Sequence, residues 1–280
     1  MKIIWQVLQL SLLLTSSTLM AETVTLSFGV VPQQAASKLA KLWIPILQHV
    51  SREVGVDIRF KTASNIPVFE QRLGNGDYDL AYMNPYHYVV FHEKLGYQAF
   101  AKQMNKHIKG IMVVHKDSDI KDIKQLQGKT LAFPSPAAFA ASLLTRAHLK
   151  NQGVDFQAKY VSSHDAVYFN VAKKIYPAGG GILRTLNSTK PNVLEQLKVF
   201  WVSKPYTPHA FAARSDIPEE IVKRIRDSLR DLNNTEEGKE MLAGLKFSGI
   251  ESADDLDWNG VRDLNLQELS NYLPSAEHQN

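Results

Sequence analysis

Residues 161–185 read VSSHDAVYFNVAKKIYPAGGGILRT and hold the side chains best suited to chemistry. His164 stands where a strand-like stretch passes into a helix. There the first N–H groups have no intrahelical acceptor, and the helix dipole favours negative charge. Gly179, Gly180 and Gly181 carry no Cβ, so a ligand can approach their backbone N–H groups closely. Arg184 follows as a forked, charge-assisted donor. Together these groups suit capture of an anion. The plainer alternative is an ordinary αβ connection with Ser163 as a helix cap.

Other chemistries find less support. His87 and His92 are five residues apart, a spacing that does not set two imidazoles on one helix face as four does. His164 and Asp165 are adjacent, so they diverge on a helix, and no G-x-S-x-G elbow supplies a nucleophile. Neither a metal, a cofactor nor a catalytic residue is expected. The chain has no cysteine, which excludes disulfides, thiolate chemistry and attachment through a lipidated N-terminal cysteine.

Alternating strand and helix patterns must position these residues. Strands are expected at 24–30, 56–62, 78–82 and 111–115. Helices are expected at 37–54 (interrupted by Pro45), 67–74 and 86–95. A second series follows 117, with helices at 120–126, 137–152 and 164–174 and strands at 130–133, 157–161, 177–183 and 197–202. After Pro205 and Pro208 come a short strand at 209–213, a helix at 218–232 and a closing helix at 264–272. Such alternation implies mainly parallel sheets flanked by helices. Crossings near 115–116 and 204–207 divide the chain into a discontinuous first lobe (22–115 and 206–280) and an inserted second lobe (116–205). The ligand cleft would lie between them, at the carboxyl ends of the strands.

Residues 1–21 join Lys2 to an apolar run at 3–14 and end in Leu-Met-Ala, the layout of a cleaved signal peptide. The run is shorter than the roughly 20 residues that span a bilayer. Cleavage near Ala21 would release the chain into the periplasm. Of 32 Lys and Arg only Lys2 lies in this segment, so against 28 Asp and Glu the remainder carries about +3. The lysines are scattered and form no stripe interleaved with aromatics, so nucleic acid is not an expected partner.

Several motifs recur in the order found in one family: Gly29-Val30-Val31-Pro32-Gln33-Gln34 after the first strand, Asp77-Tyr78-Asp79-Leu80-Ala81-Tyr82 before Asn84-Pro85-Tyr86-His87-Tyr88, Gly128-Lys129-Thr130-Leu131-Ala132-Phe133 opening the second lobe, and Ser163-His164-Asp165-Ala166-Val167-Tyr168. In this the chain resembles the periplasmic phosphate/phosphite/phosphonate-binding proteins of ABC transporters. The resemblance implies the type II two-lobed fold and a small oxyanion ligand. It also implies a permease and a cytoplasmic ATPase as partners, because the sequence has no Walker A motif. A sensory module serving a membrane receptor kinase is the alternative. One departure stands out: where the family carries a Ser-Thr-Ser run, this chain has Pro134-Ser135-Pro136-Ala137-Ala138-Phe139. Ser135 Oγ and the N–H groups of Ala137 and Ala138 are the donors left there, or Ser135 is simply a cap. Tyr82, Tyr86 and Tyr88 could wall the cleft from the first lobe, with Tyr86 reaching the anion and Tyr88 better suited to the core. Asn65 either caps a helix or meets ligand, and Gln34 either enters the cleft or starts a helix. Protonation of His164 would strengthen anion binding as pH falls towards about 6.

Overall fold

The computed structural model describes residues 24–264 together with Leu266 and Leu269. The expected signal peptide and the expected closing helix lie outside the described residues, apart from Leu264, Leu266 and Leu269.

The chain folds into two mixed sheets with helices packed against them. In chain order the first-sheet strands are β1 (Thr25–Val30), β2 (Asp57–Lys61), β3 (Leu80–Met83) and β4 (Gln98–Gln103). The second sheet takes β5 (Gly110–His115), β6 (Thr130–Phe133), β7 (Gln157–Tyr160), β8 (Ala178–Ile182) and β9 (Leu197–Val202). The chain then returns to the first sheet with β10 (Ala210–Ala213) and β11 (Ile250–Ser252). The strand orders are β11-β4-β10-β3-β1-β2 and β7-β6-β8-β5-β9.

The parallel pairing read from the sequence holds within β2-β1-β3 and β7-β6-β8. The strands next to the chain crossings are antiparallel: β10 to β3 and β4, β11 to β4, and β5 to β8 and β9. β5 pairs only within the second sheet, so residues 110–115 belong there and the expected boundary at 115 moves back to 104–109. The return crossing occupies 203–209. The two crossings are tied by reciprocal backbone bonds, Ile108 N–H to Tyr206 O at 2.8 Å and Tyr206 N–H to Ile108 O at 3.0 Å.

Helix α1 (Ala36–Val54) is continuous through Pro45, which is exposed. The carbonyl left unpartnered one turn back belongs to exposed Lys41, where water can satisfy it. Trp43, Ile46, Leu47 and Val50 are buried beneath this helix, each side chain contributing roughly 1.5–3 kcal/mol by leaving water. Helix α2 (Ile66–Gly74) begins at Asn65 and α3 (Pro85–Leu95) at Asn84, each with a proline in its first turn where no N–H is missed. Gly96, at φ 70°, ends α3 in the left-handed conformation.

In the second lobe the expected long helix begins as a π-helix over Phe139–Leu144 and continues as α4 (Thr145–Asn151). Then come α5 (His164–Ala172) and the single turn α6 (Leu183–Leu186). The three glycines lie inside β8. A Cβ on Gly180 would stand 1.8 Å from Ala141 O, and one on Gly110 of β5 would stand 2.2 Å from Ala140 O. A Cβ on Gly179 would meet Val167 at 2.5 Å, and one on Gly181 would meet the Tyr168 hydroxyl at 2.4 Å. The glycines therefore let the π-helix and α5 lie directly on the sheet. They do not open their backbone to a ligand, which corrects the sequence reading.

Candidate ligand-binding cleft

The register brings one edge of each sheet to the cleft. Val30 pairs with Tyr82, and Met83 with Ala210, so Gln33 after β1, Asn84 after β3 and His209 before antiparallel β10 share an edge. Gly110 pairs with Ile182, so Ile108, Ile182 and Arg184 share the facing edge of the second sheet. Between them lies a cavity of about 10 Å³, close to the size of one water, whose walls include Gln33, Asn84, Ala138, His164, Ile182 and His209.

His164 occupies the first turn of α5 because Ser163, in extended conformation, caps it by accepting from Ala166 N–H at 3.1 Å. The imidazole is 1% exposed. Its Nδ1 lies 3.1 Å from Thr185 Oγ1, which lies 2.7 Å from the Tyr168 hydroxyl. Tyr168 accepts from Ile182 N–H and reaches Ile182 O, fixing the network to β8. His164 Nε2 has no partner among the described residues. Thr185 Oγ1 also lies 3.1 Å from Ile182 O; when its one proton goes to Nδ1 rather than to that carbonyl, Nε2 carries the ring proton and is a buried donor facing the cavity. Burial, reinforced by nearby Arg184, pushes the His164 pKa down to about 3. The ring is thus neutral near pH 6, and the expected tightening of anion binding through its protonation there is not supported.

His209 was not foreseen. It is buried, its Nε2 is also without a partner among the described residues, and its ring stacks on Tyr82 with centroids 5.0 Å apart. Burial, then the charge of Arg184, holds it well below the usual imidazole range. Its position beside Pro208 offered a local clue only to a linker; its place at the cleft comes from β10 inserting between β3 and β4.

The Arg184 guanidinium donates to Gln33 Oε1 across the cleft. Among the described residues no carboxylate forms an ion pair with it. Further ties cross the lobes: Asn84 Nδ2 donates to Ala137 O at 3.2 Å, Lys38 Nζ to Ser188 O at 2.7 Å, and Lys246 Nζ to Asn187 O at 2.8 Å. These bonds hold the two lobes together across the cleft. Asn84 also caps α3, its Oδ1 accepting from His87 N–H at 2.8 Å, and beneath it the buried His87 Nε2 lies 2.9 Å from Glu70 Oε1. Asn84 was visible in the sequence only as part of an Asn-Pro helix start.

The other candidates divide. Ser135 is buried with an unpartnered Oγ, but it does not cap the helix; Ala138 holds the N-cap position of the π-helix without a side-chain bond. Ala138 lines the cavity, yet its N–H turns back towards Ser135 O at 3.4 Å, and Ala137 meets the other lobe through its carbonyl. Asn65 is a cap, accepting from Val68 N–H at 2.9 Å. Gln34 borders a separate hollow beside Lys38 and Lys246, and its neighbour Gln33 enters the cavity instead. Tyr86 does not reach towards an anion: its hydroxyl donates to Leu266 O and accepts from Leu269 N–H, both at 3.1 Å. Tyr88 packs on Trp258 and donates to Asp255 at 2.8 Å, in the core as expected. Among the described residues no group of three or more His, Asp or Glu is placed to hold a metal ion.

Residues 28–258 match the family described as ABC transporter, phosphonate, periplasmic substrate-binding protein. The chain belongs to this family. It is 23% identical to the phosphonates-binding periplasmic protein of Escherichia coli over 272 residues, 92% of this chain and 80% of the relative. In fold it is similar to a binding protein component of an ABC phosphonate transporter from Pseudomonas aeruginosa, with TM-score 0.80, 20% identity, and 88% and 87% of the two chains covered. It is also similar to PhnD1 of Prochlorococcus marinus in complex with methylphosphonate, with TM-score 0.78, 19% identity, and 89% and 99% covered. This phosphonate-binding family member therefore has the two-lobed fold of type II periplasmic binding proteins.

Proposed function

We propose that the cleft captures a tetrahedral oxyanion of the phosphonate, phosphite or phosphate type and presents it to an ABC permease and its ATPase from the periplasm. The observation that carries this reading is the pairing of His164 Nε2, buried and unpartnered in the cavity wall, with Arg184, which no described carboxylate neutralises. A desolvated anion needs donors and a counter-charge, and a buried donor without an acceptor is itself costly. With Thr185 donating to Nδ1, His164 supplies the donor and Arg184 the charge. The small cavity limits the head group to a few atoms. It is also tighter than an oxyanion requires, so ligand entry exchanges the Arg184–Gln33 bond for one between Arg184 and the anion. The methylphosphonate complex of the Prochlorococcus marinus relative supports the ligand class. Nothing in the comparisons favours the receptor-kinase alternative.

Thermal unfolding with methylphosphonate, phosphite, phosphate or sulfate tests the reading. An anion at 100 times its Kd adds about 2.7 kcal/mol, enough to raise Tm by several degrees. His164→Ala and Arg184→Ala should each lose roughly 1.5–3 kcal/mol of binding by calorimetry. Absence of any shift with all four anions sinks the proposal. Export with cleavage near Ala21 belongs to the same reading, and the mass of the periplasmic protein checks it.

A further inference from the structure

We propose that the ligand bears a second anionic group on a short arm beside its tetrahedral head. This rests on the oxyanion reading above and adds the chemistry of the substituent. A second cavity of about 200 Å³ adjoins the small one and shares Ile108, Ile182 and His209 with it. An arm leaving a head group at His164 passes His209, whose buried Nε2 has no partner among the described residues, and enters this larger space. Volume alone would suit an arm of any charge. The lining residues decide its sign: Lys106, Lys109 and Arg184 are all there, and none of the lining residues is acidic. Among the described residues no carboxylate ion-pairs with any of these three cations.

The placement is specific. Lys106 and Lys109 come from the first crossing, Pro208 and His209 from the second, and Arg184 from α6, just after β8. The arm would thus be held by the segments that join the lobes. A carboxylate or second phosphoryl group would gain charge-assisted bonds there, whereas an ammonium would meet like charges. The two lysines are exposed, so salt screens part of the preference, and the advantage should shrink as ionic strength rises.

Calorimetry at low salt with three probes tests this: methylphosphonate (head alone), 3-phosphonopropionate (anionic arm) and 2-aminoethylphosphonate (cationic arm). The expected result is 3-phosphonopropionate binding at least about tenfold tighter than methylphosphonate, as one charge-assisted bond allows, with 2-aminoethylphosphonate weakest. In the Lys106→Gln/Lys109→Gln double variant the advantage should shrink to about threefold or less. Equal affinity for methylphosphonate and 3-phosphonopropionate, or preference for 2-aminoethylphosphonate, overturns the anionic arm while leaving oxyanion capture standing. If none of the three binds, the oxyanion reading fails and this inference with it.

Discussion

Burial holds the imidazoles of His164 and His209 in the neutral form, and that has a cost in acid. Well above pH 6.5 both the folded and unfolded chains carry His164 uncharged, so it has no linked effect. Below that, the unfolded chain takes up a proton that the folded chain refuses until about pH 3, so stability drains across that interval. At pH 5 the loss from His164 is about 2 kcal/mol, with a further loss of the same sign from His209. Urea unfolding of the ligand-free protein should show stability falling from pH 7 to 5, and His164→Gln should remove much of that fall. An identical pH profile in the variant would contradict the burial argument. At this scale the sequence was partly legible. His164 could be read because its cap and helix are local. Arg184 could be read because it follows a strand end. Gln33 was missed because the chain bends after β1, where a one-residue phase is not encoded in a pattern. Tyr86 was misjudged because its hydroxyl meets Leu266 and Leu269, far along the chain.

At the scale of elements, the glycine strand and the π-helix form one unit. Thr145 Oγ1 donates to Ala141 O at 2.7 Å, so the helix side chains fold back on the same carbonyls that approach Gly180. Gly180→Ala places a methyl group 1.8 Å from backbone, which only displacement of the helix relieves. It should cost at least about 1–3 kcal/mol in denaturant unfolding and weaken methylphosphonate binding as well, because the helix carries Ala138. Gly260→Ala, where an added Cβ meets nothing within 4 Å, is the control and should be near neutral. Most elements were legible from periodicity, with β9 and α5 close to their expected positions. The π-turn was not, because it answers to a sheet contact rather than to its own sequence. Strand β4 escaped because QAFAKQ carries little alternation and takes its place from β10 and β11.

For the whole molecule, the two crossings bonded through Ile108 and Tyr206 are the proposed hinge, in place of the expected pair near 116 and 205. The misplacement has a topological cause: β5 follows β4 after a short connection, yet pairs with β8 and β9 rather than with its predecessor. Small-angle scattering should show a smaller radius of gyration with saturating methylphosphonate than without, as the ties from Asn84, Lys38 and Lys246 form together. An unchanged radius at demonstrated saturation would argue for a rigid cleft.

The inner wall of the head-group cavity is made largely of helix backbone and small alanines seated on a strand with almost no side chains. Such a wall has little to exchange: replacing a glycine beneath it dislodges the helix, and enlarging an alanine in it fills the cavity. Substitutions meant to change ligand preference without disturbing the fold should therefore be made at the rim, at Lys106, Lys109 and their neighbours on the crossings. Both lysines are exposed, so on the proposed reading a choice of tail could be retuned there while the wall that meets the head stays untouched.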